Sequence, residues 1–145
     1  TPSRNSPSNR WASASSFVAR HDTTAPLDAG WSFADLAAHG PDAAGYWSTA
    51  FDGRHLYFVP ELLPSSRVAR YDTEKPFEEV LESWSVFDLA NVDPVAHSYG
   101  GAVFDGRHLY FVPTDYYGDE SASRVVRFDA KCPASMPAGY SGSFY

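Results

Sequence analysis

Ten consecutive residues, Phe-Asp-Gly-Arg-His-Leu-Tyr-Phe-Val-Pro, occupy positions 51–60 and return unchanged at 104–113. An identical decamer at this separation marks an internal duplication, so the fold must be one that a repeated unit can build. The decamer also carries local structural signals. Asp-Gly between apolar runs predicts a two-residue type I′ hairpin turn, which needs positive φ at both central positions: Asp52 with Gly53, and Asp105 with Gly106. His-Leu-Tyr-Phe-Val is rich in β-formers. The proline that closes it has no N–H for a ladder and marks the exit into a loop.

Four segments recur around the decamer in fixed order. Segment A is Gly-Tyr-Trp-Ser-Thr-Ala-Phe at 45–51, matched at 98–104 and again at 139–145. Segment B is the His-Leu-Tyr-Phe-Val run, and segment C is the Arg-rich stretch at 16–23, 66–73 and 123–130. Segment D is Trp-Ser-Phe-Ala-Asp-Leu-Ala at 31–37, matched at 84–90. Each has the length of one strand, and Pro, Gly, Asp and Ser separate them. Residues 78–82, between C and D, are expected to form one helical turn.

Composition agrees with strands. The chain has four Trp, nine Tyr and ten Phe but one Met and no Ile, which suits flat packing surfaces better than helices. A net charge of −7, with no run or stripe of basic residues, excludes a nucleic-acid backbone as partner. The lone Cys132 excludes an intramolecular disulfide and a cysteine-rich zinc site. No apolar run reaches the length of a membrane helix, so no membrane partner is expected. The chain starts at Thr1, which reads as a trimmed end, and the compartment, extracellular or cytoplasmic, stays open.

Four antiparallel strands in a repeat of roughly 50 residues make an all-β fold of β-propeller blades. Residues 1–145 then form a single repeat domain, with segments at about 1–44, 45–97 and 98–138 and a terminal strand at 139–145. The repeat resembles that of a family of bacterial tandem-repeat β-propeller proteins. Residues 98–113, 66–73 and 83–88 carry the likeness to its Gly-Tyr-x-Gly-Ala-Val-Phe-Asp-Gly-Arg-x-x-Tyr-Phe-Val-Pro, Arg-Val-x-Arg-Tyr-Asp-Thr and Trp-Ser-x-Phe-Asp units. The resemblance covers nearly the whole chain and implies the propeller fold. It carries over no catalytic residue.

The third copy lacks segment D, because residues 131–138 have two prolines and no Trp-Ser-x-Phe. About ten strands remain, or about two and a half blades, fewer than the four or so that close a propeller. Self-association is the favoured completion, a dimer in particular, since two copies supply the strands of about five blades. A fragment of a longer array and a β-trefoil are the alternatives.

Most residues that look chemical have a local explanation. Asp52, Gly53, Asp105 and Gly106 build turns, and His55 and His108 open segment B beside them. Asp22, Asp72 and Asp129 close segment C as side-chain-to-backbone caps, with Arg70 and Arg127 as same-face partners of the last two. Trp31 and Trp84 cover blade edges. His21, His39 and His97 lack metal-ligand spacing, so neither a metal nor another cofactor is expected.

The expected ligand face is the end where segments A start and segments B exit. It carries Tyr46, Trp47, Tyr99 and Tyr140, with Tyr46, Tyr99 and Tyr140 also reading as lining of the ring. The long loop after Pro113 adds Asp115, Tyr116, Tyr117, Asp119 and Glu120, and the N-terminal segment adds Arg4, Asn5, Asn9 and Trp11. Flat aromatics beside Asp, Asn and Arg are the composition of sugar sites, so a non-enzymatic carbohydrate-binding module is the leading reading. A protein-interaction or structural propeller is the second. The third is a propeller glycosidase, with Glu61, Asp93, Asp115 and Glu120 as the available carboxylates. No catalytic cluster, phosphate loop, Gly-x-Ser-x-Gly or dinucleotide fingerprint occurs.

Overall fold

The computed structural model describes residues 14–61, 66–114 and 124–130. They form three antiparallel sheets. β1 (Phe17–His21) pairs with β2 (Trp31–Asp35) in the first sheet. The second contains β3 (Tyr46–Phe51), β4 (His55–Pro60), β5 (Arg67–Asp72) and β6 (Trp84–Asp88), each paired with its neighbour in sequence. The third contains β7 (Tyr99–Phe104), β8 (His108–Pro113) and β9 (Val126–Asp129). Segments A to D thus become strands in the expected order. The barrel that a β-trefoil requires is absent among the described residues. The terminal strand expected at 139–145 lies outside them.

The hairpins differ from the type I′ expectation. Three residues, 52–54, connect β3 to β4, and only Gly53 has positive φ, at 100°. Gly106 repeats this at 98°. The reason is the Asp side chain. A carboxylate that accepts from the N–H groups two and three residues ahead holds the turn by itself, so only the middle residue enters the left-handed region.

Segment D ends in a second Asp device. Asp35 and Asp88 cap short 3-10 turns, Leu36–His39 and Leu89–Asn91, by accepting from the Ala37 and Ala90 N–H at 3.0 Å. Each also accepts a hydroxyl from the start of the preceding segment C, Ser16 at 2.6 Å and Ser66 in the equivalent place. The caps bury Leu36 and Leu89. Each buried leucine contributes about 2 kcal/mol relative to exposure. The helical turn expected at 78–82 forms at α1 (Val80–Ser83).

The second sheet lies between the other two, which explains why β4 is apolar without alternation. Leu56 and Phe58 point to one side, into a core with Ala34 of the first sheet, Leu36 of the 3-10 turn that follows it, Tyr71 and Trp84. Tyr57 and Val59 point to the other, into a core with Leu109, Phe111 and Val126 of the third sheet. Trp84 anchors the first core, stacked on Tyr71 at 4.9 Å with its Nε1 donating to the Phe77 carbonyl at 2.8 Å.

The second and third sheets converge at their first strands. β3 and β7 lie side by side, and a Cβ at Gly101 would stand 3.6 Å from Ser48 Oγ. Further out an apolar cleft of about 340 Å³ opens between β6 and β9.

Candidate functional site

Asp52 is the best-connected side chain of the hairpin. Its Oδ1 accepts from the Arg54 N–H at 2.8 Å and the His55 N–H at 2.6 Å. Its Oδ2 accepts from the Tyr57 hydroxyl at 2.8 Å and lies 3.3 Å from His55 Nδ1. Burial pushes this carboxyl up, but the bonds from His55, Arg54 and Tyr57 outweigh it and hold the group down at about 2. Burial, and then the Asp52 charge, push the Tyr57 hydroxyl up. Asp105 repeats the arrangement with Arg107, His108 and Tyr110, and its carboxyl is also held low. Both carboxylates are committed to their own turns, Asp52 through four contacts and Asp105 through three hydrogen bonds. Asp, His and Tyr are thus joined within each hairpin by bonds to the turn carboxylate.

The other repeated carboxylates are equally occupied. Asp72 takes a two-point contact from Arg54, and Asp129 takes one from Arg107. This corrects the expected pairing with Arg70 and Arg127. The register sets His55 opposite Asp72, which brings Arg54 alongside, while Arg70 Nε donates to Ser85 Oγ at 3.3 Å. Asp22 accepts from the Thr24 N–H and hydroxyl. Asp93 accepts from the Val95 N–H and pairs with Arg124. Glu61 is buried beside Gly45, whose carbonyl accepts its N–H at 3.2 Å. Asp115 and Glu120 lie outside the described residues.

The histidines are dispersed. His21 packs on Trp31 at 4.6 Å, His39 Nε2 is 3.0 Å from the Val80 carbonyl, and His97 Nδ1 is 3.1 Å from Ser98 Oγ. Among the described residues no three His, Cys, Asp or Glu side chains converge.

The aromatic residues expected on the ligand face separate sharply. Tyr99 is in the core, edge-on to Phe111 at 5.9 Å, and burial and then Asp93 push its hydroxyl up to about 12. Tyr46 packs edge-on against Phe58 at 6.0 Å, its hydroxyl buried without a hydrogen-bond partner among the described residues. Trp47 is 70% exposed. The difference is a β-bulge. Tyr46 pairs with Pro60 and Ser48 with Val59, so Trp47 is the extra residue, and a bulge redirects its side chain. The next sheet has the same irregularity, with Gly100 at the bulged position. Trp11, Asp115, Tyr116, Tyr117, Asp119 and Glu120 lie outside the described residues, as do Arg4, Asn5, Asn9 and Tyr140.

One feature eluded the sequence reading. The cleft between the second and third sheets is lined by Val68, Phe87, Leu89, Val92 and Phe128, with the stems of Arg70 and Arg127 at its rim. It lies beside β9, the last strand of the third sheet, which pairs only with β8 among the described residues. In the second sheet the corresponding place beside β5 is filled by β6. The missing Trp-Ser-x-Phe segment after residue 130 was the available signal.

No known family, curated protein or solved structure matches the chain.

Proposed function

We propose that the chain is a non-catalytic binding module on an arc of β-propeller blades, and that its ligand is carbohydrate. Support for the propeller arrangement comes from the four-stranded up-and-down second sheet and from the convergence of β3 with β7 at what would be the axis. Support for binding without catalysis comes from the repeated carboxylates, all used in turns, caps and ion pairs.

The observation that carries the ligand class is Trp47. A flat indole, presented by a bulge, stands at the end of the second sheet where β4 exits through Pro60. The chain leaves β8 through Pro113 at the corresponding end of the third sheet, on its way to the Asp- and Tyr-rich stretch. An indole face stacks on the C–H face of a pyranose while neighbouring polar groups take the hydroxyls.

A glycan array followed by titration calorimetry tests this. At least one sugar class should bind, and Trp47→Ala should weaken it about tenfold, the worth of one good aromatic contact. Uniform failure across sugars, or unchanged binding by the variant, would remove the carbohydrate reading.

A second reading, a protein-interaction scaffold, is favoured by the cleft. Its apolar walls and the adjoining edge of β9 suit an extended apolar strand from a partner, added to the third sheet as β6 is added to the second. Chemical-shift changes confined to β9 and the cleft on titration with a Trp-Ser-x-Phe peptide would support it. Changes elsewhere, or none, would count against it.

A further inference from the structure

The same decamer occurs in two environments. Val59 of β4 is fully buried, at 0% exposure, whereas the identical Val112 of β8 is 50% exposed. The difference lies in the neighbours. The face of the second sheet bearing Tyr57, Val59 and Val68 is covered by the third sheet, and the matching face of the third, with Tyr110, Val112 and Val125, is open.

The first sheet shows the converse. Trp84 of the second sheet is buried at 3% on the face that meets the first sheet, while its counterpart Trp31 is 48% exposed on the far side of the first. The construction beneath is the same: Trp31 Nε1 donates to the Leu27 carbonyl at 2.8 Å, as Trp84 Nε1 does to that of Phe77. Phe77 is buried and Leu27 is exposed. Phe33 is likewise exposed where Val86, its equivalent in the second sheet, packs against the core.

The stack therefore makes one kind of sheet-on-sheet joint twice internally, and presents the two halves of a third joint at its opposite ends. We propose that these ends meet between molecules: the Tyr110, Val112 and Val125 face of one copy docks on the Trp31, Phe33 and Leu27 face of a second copy. The contact is heterologous, with different surfaces on the two partners, and such contacts close into rings when the rotation permits. A dimer is the smallest ring that covers both ends of every copy. It contains six sheets rather than the five suggested by strand counting, and six is within the roughly four to eight of closed propellers. A second copy is the favoured occupant because each open face already has its complement on the same chain. The association does not depend on carbohydrate binding.

Sedimentation equilibrium of the 145-residue chain tests the proposal, with Val112→Glu, Val125→Glu and Phe33→Glu as variants. The wild type should have twice the 15.9 kDa chain mass. Each variant should raise the dissociation constant at least about thirtyfold, the effect of a lost interface hot spot. Far-ultraviolet circular dichroism should remain unchanged, because the altered side chains point away from both internal cores. Mixing Val112→Glu with Phe33→Glu should recover part of the association, since the mixed dimer has one joint free of both substitutions. A monomeric wild type would overturn the proposal. So would a dimer indifferent to these substitutions, or a mixture no better associated than its components, which would indicate a symmetric contact.

Discussion

Arg54 donates two hydrogen bonds to Asp72, from Nε at 3.1 Å to one carboxylate oxygen and from Nη2 at 2.8 Å to the other. The pair fastens the β3–β4 turn to the far end of β5, and Arg107 fastens the turn before β8 to the end of β9 by donating from Nε and Nη2 to one oxygen, Oδ2 of Asp129. The fork matters more than the charge, because a planar guanidinium matches both oxygens and an ammonium does not.

Arg54→Lys should therefore lower unfolding stability by about 0.5–1 kcal/mol, a range kept small by partial solvent exposure. Arg107→Lys should cost less, since that side chain is twice as exposed. Urea denaturation of the two variants checks the order. No loss in either variant would mean that the fork contributes nothing beyond charge.

The Asp52 joint predicts how the fold responds to acid. Its carboxyl is held at about 2, below the ordinary 3.8, so protonation is harder in the folded chain than in the unfolded one. The resulting stabilisation is complete above pH 4 and is lost as pH falls from about 4 to about 2, to the extent of about 2 kcal/mol. Asp35, Asp72 and Asp88 are held low as well, by Ser16, Arg54 and Ser66 respectively, and act in the same direction. Stability measured from pH 7 to 2 should fall within that window, and Asp52→Asn should flatten the fall while lowering stability at pH 7. An unchanged acid slope in the variant would refute the assignment.

Strand order was legible in the four recurring segments, because repetition survives as a local signal. The turn geometry was not. Asp-Gly suits a type I′ turn, yet the same Asp can hold a three-residue turn with its carboxylate, and the choice follows from whether Arg54 and His55 bring their N–H groups round. Arg70 looked like the partner of Asp72 because residues two apart on a strand share a face, but cross-strand register brings Arg54 closer. Trp47 and Tyr46 were both expected on the ligand face, with Tyr46 also reading as lining of the ring. A bulge, invisible in the residue types, separates the exposed ring from the packed one.

Two glycines separate backbone strain from steric conflict. Gly30 and Gly106 both have positive φ, at 73° and 98°. A Cβ at Gly106 would meet nothing within 4 Å, whereas one at Gly30 would stand 2.6 Å from the Ala25 Cβ. Gly106→Ala should cost about 1–2 kcal/mol from the left-handed conformation alone. Gly30→Ala should cost about 1–3 kcal/mol more, because a methyl fixed to the backbone cannot swing aside. Thermal and chemical unfolding of both variants give the difference, and equal losses would show that the loop around Ala25 yields freely.

The identical valines offer the sharpest comparison between fold and assembly. Val59→Ala removes side-chain atoms from a filled core and should lower the stability of the single chain by about 2 kcal/mol. Val112→Ala removes the same atoms from an open face, so in dilute solution its unfolding midpoint should stay within about 0.5 kcal/mol of wild type. At higher concentration the two should exchange character. The wild-type midpoint should rise with concentration as copies associate, because binding to the folded state stabilises it. The Val112→Ala midpoint should rise less, and Val59→Ala should retain the wild-type dependence with a constant offset. A concentration-independent midpoint in the wild type would mean that the open face of the third sheet stays uncovered, and would leave Val112 as an exposed residue without a role in association.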